Sequence, residues 1–257
     1  MTKALRPPFL LLLTAVAASL AGQAPAPTSP RPGAAQLPRK LSALVIDPAH
    51  GGADSGARGS GGTIESEVVV DFGRAIRVAL EAGGFHAVLT REGNQGPSLD
   101  DRSAAANGLP DSIFIALHVS STGTPGTARA YFCTILPAPP RAPAAAGARP
   151  APQAPVGLLE WDRAQEPYVA LSRRLAELVQ IQLAQRFQGS PETPSAAPVR
   201  QLRTVAAPAI AIEVSSVALD SAALSQMGQP LGEALARAAA AFQQSLAEDA
   251  AAPGAAR

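Results

Sequence analysis

The stretch Ala43-Leu44-Val45-Ile46-Asp47-Pro48-Ala49-His50 is a short apolar run that ends on a histidine. Two later runs have the same form and end on His118 and Glu213. Short runs rich in β-branched residues are typical of buried strands in a mostly parallel sheet. Ligands in such sheets bind beyond the carboxyl ends of the strands, so we expect His50, His118 and Glu213 to meet at one edge.

Helical periodicity appears between the strand candidates. One helix is predicted to end at Gly83-Gly84, and its apolar face is formed by Val69, Phe72, Ile76 and Leu80. A second helix starts near Pro167, with Leu171, Leu175, Leu178 and Phe187 on its apolar face. A third begins after Gly228, with Leu231, Leu235, Ala238 and Phe242 on its apolar face. Phe85–Thr90 and Thr127–Leu136 are further strand candidates. This order predicts a single-domain α/β fold with a mostly parallel twisted sheet and helices on both faces.

The ends of the chain differ in composition from its middle. Residues 1–21 have two basic residues before a short apolar run, which predicts a secretory signal peptide, although an uncleaved membrane anchor is the alternative. We expect an exported protein, periplasmic or extracellular and associated with the cell wall, with no membrane span after cleavage. A Pro/Ala-rich linker follows at 22–38, then the folded domain at 39–249 with a Pro/Ala-rich insertion at 137–155, and a tail at 250–257.

Composition excludes two classes of site. The formal net charge is +1 and aromatic residues make up 4% of the chain, so neither charge nor stacking favours nucleic acid as a partner. Cys133 is the one cysteine, so an intramolecular disulfide and a thiolate zinc site are both excluded.

The histidines favour a metal site at the sheet edge. The chain has three, and His86 lies inside a strand candidate with no partner nearby, so we expect it on the surface. His50 and His118 each stand where a buried strand meets a loop. Glu65 opens the first helix after the Gly-rich loop 51–62 and can reach both of them. Two imidazoles and one carboxylate are typical of a catalytic zinc site with an open fourth position.

The motifs in their order resemble a known family. They are Asp47-Pro48-Ala49-His50-Gly51-Gly52, Asp54-Ser55-Gly56-Ala57, Glu65, Leu89-Thr90-Arg91, Asp101-Arg102 with Ala106-Asn107, Ile115-Ala116-Leu117-His118, and Ile212-Glu213. Over residues 41–247 the chain is similar to the zinc-dependent N-acetylmuramoyl-L-alanine amidases of the amidase type 3 family, whose fold is phosphorylase/hydrolase-like. The resemblance implies that one Zn²⁺ is bound by His50, Glu65 and His118 and that Glu213 is catalytic.

The function that this resemblance implies is hydrolysis of the amide bond between N-acetylmuramic acid and the L-alanine of the peptidoglycan stem peptide. Such an activity serves cell-wall remodelling and daughter-cell separation. Two alternatives stay open: an amidase-like module that binds the wall without cutting it, and a zinc peptidase acting on wall peptides. The sequence identifies no activator protein.

Several neighbouring residues need separate interpretation. Ala49 replaces a glycine that is usual in the family, which requires a negative φ at this position. Asp47 either orients a ligand imidazole or has a structural role at the strand end. We interpret Arg91 and Arg102 as structural ion-pair partners, and Glu67 as a charge that favours the helix start, without a ligand role.

Departures from the family also surround the expected ligands. Val119-Ser120-Ser121 follows the second histidine and Val214–Asp220 follows the expected catalytic glutamate, where the family has other residues. The insertion is too rich in proline for a stable helix, so we expect a surface loop with Leu159 and Trp161 packed on the fold and an open site. An inhibitory lid that brings Glu160 to the metal is the alternative.

Overall fold

The computed structural model describes residues 40–59, 61–135 and 160–251. The expected signal peptide, the linker and the 137–155 insertion lie outside these residues, as does Leu159. Six strands and five helices, with two single turns of 3₁₀ helix at 161–163 and 166–168, make up the described part: β1 Ala43–Pro48, α1 Glu65–Ala82, β2 Ala87–Leu89, α2 Leu99–Asn107, β3 Ser112–Ser120, β4 Thr127–Cys133, α3 Val169–Arg186, β5 Ser195–Ala197, α4 Arg200–Arg203, β6 Ala209–Ser215 and α5 Ser221–Ala251.

All six strands form one sheet in the order β2-β1-β3-β6-β4-β5. The pairs β1–β2, β1–β3, β3–β6 and β4–β5 are parallel, and β4–β6 is antiparallel. The predicted fold class, an α/β fold with a mostly parallel sheet, is confirmed. Parallel neighbours bring the carboxyl ends of β1, β3 and β6 to the same edge, which is where the three apolar runs end.

Strand alternation separates two cores on the two faces of the sheet. On one face, Ile115 and Ile212 belong to the larger core, which also contains the apolar faces of α1, α3 and α5. On the other face, Phe114 and Ala211 belong to a smaller core with residues of α2 and α4, such as Leu202. Helices therefore cover both faces, as predicted.

The third helix begins earlier than predicted, because Gly228 and Pro230 lie inside α5 instead of preceding it. A methyl group on Gly232 would lie 2.9 Å from the carbonyl oxygen of Ala75 in α1, and one on Gly228 would lie 3.3 Å from the Ala75 methyl. These glycines permit close contact between α1 and α5, so they mark a helix–helix interface and not a helix end. The helix also continues to Ala251, into the expected tail.

Other boundaries differ by a few residues. The strand predicted over 85–90 is β2, Ala87–Leu89, so His86 precedes it; His86 is exposed, as expected. The short elements β5 and α4 were not predicted. Among the described residues no helix combines the length and the apolar character that crossing a membrane requires.

Candidate metal centre and active site

His118 and Glu213 lie next to each other across β3 and β6, where they are register partners. Alternation from Phe114 and Ala211 places both side chains on the face of the smaller core. That core ends just before them, and both residues are half-buried. The strand ends therefore present an imidazole and a carboxylate side by side at the carboxyl edge of the sheet.

His50 lies in the turn that follows β1. Its backbone has φ 62°, an uncommon value for a residue with a side chain. Its ring is held at both nitrogens: Nδ1 lies 2.8 Å from Oδ2 of Asp54, and Nε2 lies 3.2 Å from Oε1 of Glu65. In the protein without metal, the hydrogen bond to Glu65, together with Asp54 and against the opposing effect of burial, raises the pKa of His50 to about 8.

Glu65 is the first residue of α1 and is 4% exposed. Its Oε2 accepts a hydrogen bond from the backbone N–H of Ala57 (2.8 Å) and its Oε1 from that of Val119 (2.9 Å). Oε1 also lies 3.1 Å from Nδ1 of His118. Burial opposes ionisation, but the hydrogen bonds from His118, His50 and the two backbone groups hold the pKa of Glu65 far below its usual range.

These contacts gather three possible metal ligands. One ligand atom from each of His50, Glu65 and His118 lies within 4.8 Å of the others, and within the described ranges this is the one such group of three histidine, cysteine or carboxylate side chains. The two imidazole rings meet edge to face, with centroids 5.3 Å apart. Two imidazole nitrogens and one carboxylate oxygen fit a divalent metal ion of the zinc type. Backbone hydrogen bonds hold the carboxylate in place.

Glu213 is not part of this group of three. Its Oε1 lies 3.4 Å from the hydroxyl of Tyr131 on β4, which donates to it. Burial and the negative charge of Glu213 raise the pKa of Tyr131, so the hydroxyl keeps its proton. Glu213 is thus a carboxylate beside the possible metal ligands that has one neutral hydrogen-bond donor, an arrangement suited to accepting a proton.

Asp47 and Arg102 form a buried ion pair behind the ligands, with Arg102 Nη1 2.5 Å from Asp47 Oδ1. Arg102 also donates to the carbonyl oxygens of Pro48 (2.8 Å) and His50 (2.6 Å), so it anchors the turn that carries His50. The ion-pair interpretation is right for Arg102. Asp47 contacts neither ligand imidazole directly.

Arg91 does not form the ion pair that we expected. Its guanidinium donates only to carbonyl oxygens, those of Pro48, Ala49, Ser66 and Gly93, at 2.5–2.9 Å. Burial and the neighbouring charge of Arg102 lower its pKa. Its role is structural, as expected, but it acts through backbone carbonyl oxygens instead of an ion pair.

His50 and His118, two of the three possible ligands, line a cavity of about 270 Å³. The other lining residues include Pro97 and Leu99, at the start of α2, and Gln201 of α4. Glu160 is exposed and does not belong to the group of possible ligands. Trp161 is 53% exposed, and its indole nitrogen lies 3.4 Å from Asp100. We expected Trp161 to pack on the fold, and it does not.

Sequence comparison identifies the family of this chain. A family profile described as N-acetylmuramoyl-L-alanine amidase matches residues 44–238, which include His50, Glu65, His118 and Glu213. The chain belongs to the N-acetylmuramoyl-L-alanine amidase family. The resemblance stated from the sequence motifs is therefore confirmed.

Individual amidases show how far the similarity extends. The sporulation-specific N-acetylmuramoyl-L-alanine amidase of Bacillus subtilis is 39% identical over 85 residues, covering 32% of this chain and 33% of that protein. AmiA of Escherichia coli is 36% identical over 87 residues, covering 34% of this chain and 30% of AmiA. The chain thus spans about a third of the length of these curated relatives.

Solved amidase structures match more of the chain. The amidase AmiC2 of Nostoc punctiforme superposes with a TM-score of 0.56 at 25% identity, covering 80% of this chain and 98% of that one. Ami1 of Mycobacterium smegmatis has a TM-score of 0.56 at 20% identity, with 79% and 97% covered, and supports the fold.

Within the amidase fold, three site residues were missed by the sequence analysis. Asp54 holds His50, Tyr131 contacts Glu213, and Gln201 lies 3.1 Å from Nε2 of His118. Asp54 lies in a motif that the sequence analysis quoted, four residues after His50. Tyr131 and Gln201 lie far from their partners in the chain, on a strand and on a helix of four residues, and no local pattern indicates them.

The Ala49 substitution is compatible with the amidase turn. Among the described residues other than glycine, positive φ occurs at His50 and Asp111, so Ala49 keeps the negative φ that its methyl group requires. The left-handed position in this turn is the histidine itself, followed by Gly51 with φ 113°.

Proposed function

We propose that this chain is a zinc-dependent N-acetylmuramoyl-L-alanine amidase. Its substrate is the amide bond between N-acetylmuramic acid and the L-alanine of the stem peptide in peptidoglycan. The observation that carries the proposal is the gathering of His50, Glu65 and His118 beside Glu213, at the carboxyl edge of the sheet in a chain of this family.

The ligand set that we propose for the metal is His50 Nε2, Glu65 Oε1 and His118 Nδ1, since these atoms face one another. When bound, a zinc ion supplies Lewis-acid chemistry, lowering the pKa of a water molecule and polarising a carbonyl group. The protein holds the ligands in place before the ion arrives, because Ala57 and Val119 fix Glu65 and Asp54 fixes the His50 ring.

Glu213 is the residue that we assign to proton transfer. It takes a proton from the attacking water and gives it to the leaving amine as the carbon–nitrogen bond breaks. Its carboxylate lies beside His118, so it is close to the proposed ligands without being one of them. The hydrogen bond from Tyr131 orients the carboxylate and leaves one oxygen free for the proton.

The cellular setting follows from the sequence. We propose export by the N-terminal 21 residues and action on the cell wall in the periplasm or outside the cell. The domain of residues 39–249 carries the activity in this proposal. An activator protein is not required by the proposal.

Digestion of purified peptidoglycan by the zinc-loaded protein, followed by mass spectrometry of the products, tests the function. We expect stem peptides with a free N-terminal L-alanine, together with glycan that has lost its peptides. Protein stripped of metal by a chelator is the control and should release neither. Release of single amino acids would instead indicate a zinc peptidase, and sedimentation with the wall without any product would indicate a binding module.

A further inference from the structure

Gln201 lies between His118, which we propose as a metal ligand, and the buried carboxylate of Asp47. Its Oε1 is 3.1 Å from Nε2 of His118, and its Nε2 donates to Oδ2 of Asp47. We propose that Gln201 is a positioning residue that accepts the Nε2 hydrogen of His118, so that in the metal-bound protein the lone pair on Nδ1 faces the metal. This inference rests on the proposed function only in taking His118 as a ligand.

The direction of the amide follows from the chemistry of Asp47. This side chain is fully buried, and its Oδ1 accepts hydrogen bonds from Arg102 and from the hydroxyl of Thr90. A carboxylate paired with a guanidinium is only an acceptor. Gln201 must therefore turn its NH₂ group toward Asp47, and its carbonyl oxygen then faces His118.

The tautomer of His118 follows from the direction of the amide. A carbonyl oxygen only accepts hydrogen bonds, so the imidazole nitrogen opposite it must carry a hydrogen. Without a metal, Nδ1 donates to the carboxylate of Glu65; with a metal ion in the ligand group, the single N–H of the neutral ring lies on Nε2 and the lone pair lies on Nδ1. Nδ1 is the nitrogen that lies 3.1 Å from Glu65, inside the group of three ligands.

The two histidines are consequently held in opposite ways. His50 turns Nε2 to the ligand group and has its Nδ1 held by the carboxylate of Asp54. His118 turns Nδ1 to the group and has its Nε2 held by an amide. The amide contributes no charge of its own. Because its NH₂ group donates to Asp47, its carbonyl oxygen is the group that accepts from the ring of His118.

The short helix α4 is the element that makes this arrangement possible. It carries Gln201 and belongs to the segment between β5 and β6, while Asp47 and His118 end β1 and β3. Leu202, the next residue, is fully buried in the smaller core and anchors the helix against the sheet. Gln201 itself is half-buried and lines the cavity beside the ligands.

Nitrogen NMR of the histidine rings tests the proposal without any substitution. Ring ¹⁵N shifts distinguish Nδ1–H from Nε2–H, and the chain has only three histidines. In the zinc-loaded protein we expect zinc on Nδ1 of His118 and the ring hydrogen on Nε2. A zinc-bound His118 ring with its hydrogen on Nδ1 would overturn the proposal, whether or not the protein is an amidase.

Zinc affinity of Gln201 variants provides the second test. We expect Gln201→Leu to weaken zinc binding about 10- to 100-fold, because Nε2 of His118 loses its acceptor. Gln226→Leu is the matched control, since Gln226 is exposed on α5 far along the chain, and it should bind zinc like the wild type. Wild-type zinc affinity in a folded Gln201→Leu protein would show that Gln201 only fills space.

Discussion

Gly56 and Glu65 lie so close together that a side chain at position 56 would displace the carboxylate. A methyl group built on Gly56 would lie 2.5 Å from Glu65 Oε2 and 2.7 Å from His50 Cδ2, and the glycine has φ +65°. The Gly-rich loop before α1 therefore packs its backbone directly against Glu65 and His50, two of the proposed ligands.

Gly56→Ala should weaken zinc binding by at least tenfold, because the new methyl group must push Glu65 or His50 out of position. Gly84→Ala is the matched control: it imposes a similar positive φ (+80°) where no atom lies within 4 Å. Both variants should lose about 1–2 kcal/mol of stability from backbone strain. Zinc titration distinguishes them, and equal affinities in the two variants would contradict the role given to the Gly56 contact.

His118→Ala should remove most of the bound zinc, because it deletes one of the three proposed ligands and leaves Glu65 without one of its imidazole partners. His86→Ala is the control, since His86 is exposed and lies at the amino-terminal end of β2. Metal content per protein molecule, measured after gel filtration, gives the answer. If His118→Ala retained a full equivalent of zinc, the ligand set would be wrong.

The sequence predicts most of the sheet edge because parallel strands place their ends together. His50, His118 and Glu213 each follow an apolar run, so the strand pattern alone brings them to one edge. It does not predict Gln201, whose helix has four residues and whose partners are set by long-range packing. The early start of α5 was missed for a similar reason, since Gly228 is required by the contact with Ala75 on another helix.

The zinc-free protein should become less stable as the pH rises through about 8. The pKa of His50 is raised from 6.5 to about 8 by Glu65 and Asp54, so the charged ring stabilises the fold fully below about pH 6.5. This contribution, about 2 kcal/mol at most, disappears as the ring loses its proton. Glu65 has a lowered pKa, so its own contribution is present above about 4.5, the usual value, and is lost only in strong acid.

Urea unfolding in the presence of a chelator, at about pH 6 and about pH 9, measures this change across the titration of His50. Asp54→Asn removes one of the two carboxylates that act on the ring, so its stability should fall less between the two conditions. Zinc-loaded protein should show the opposite trend, because protons compete with the metal for the imidazoles. A zinc-free stability that rose with pH in this window would contradict the contacts of His50.

Glu213→Gln should retain the fold and the zinc but lose about a hundredfold or more of the amide hydrolysis. The amide has nearly the shape of the carboxylate and its oxygen can still accept the hydrogen bond from Tyr131, so the local structure has no reason to change. It cannot take up the proton of the attacking water, however, and the reaction loses its base. Glu81→Gln, at an exposed position near the end of α1, is the control for removing one carboxylate charge. Turnover of a defined muropeptide by the two folded, zinc-loaded variants is the measurement, and wild-type turnover by Glu213→Gln would assign the proton transfer to another residue.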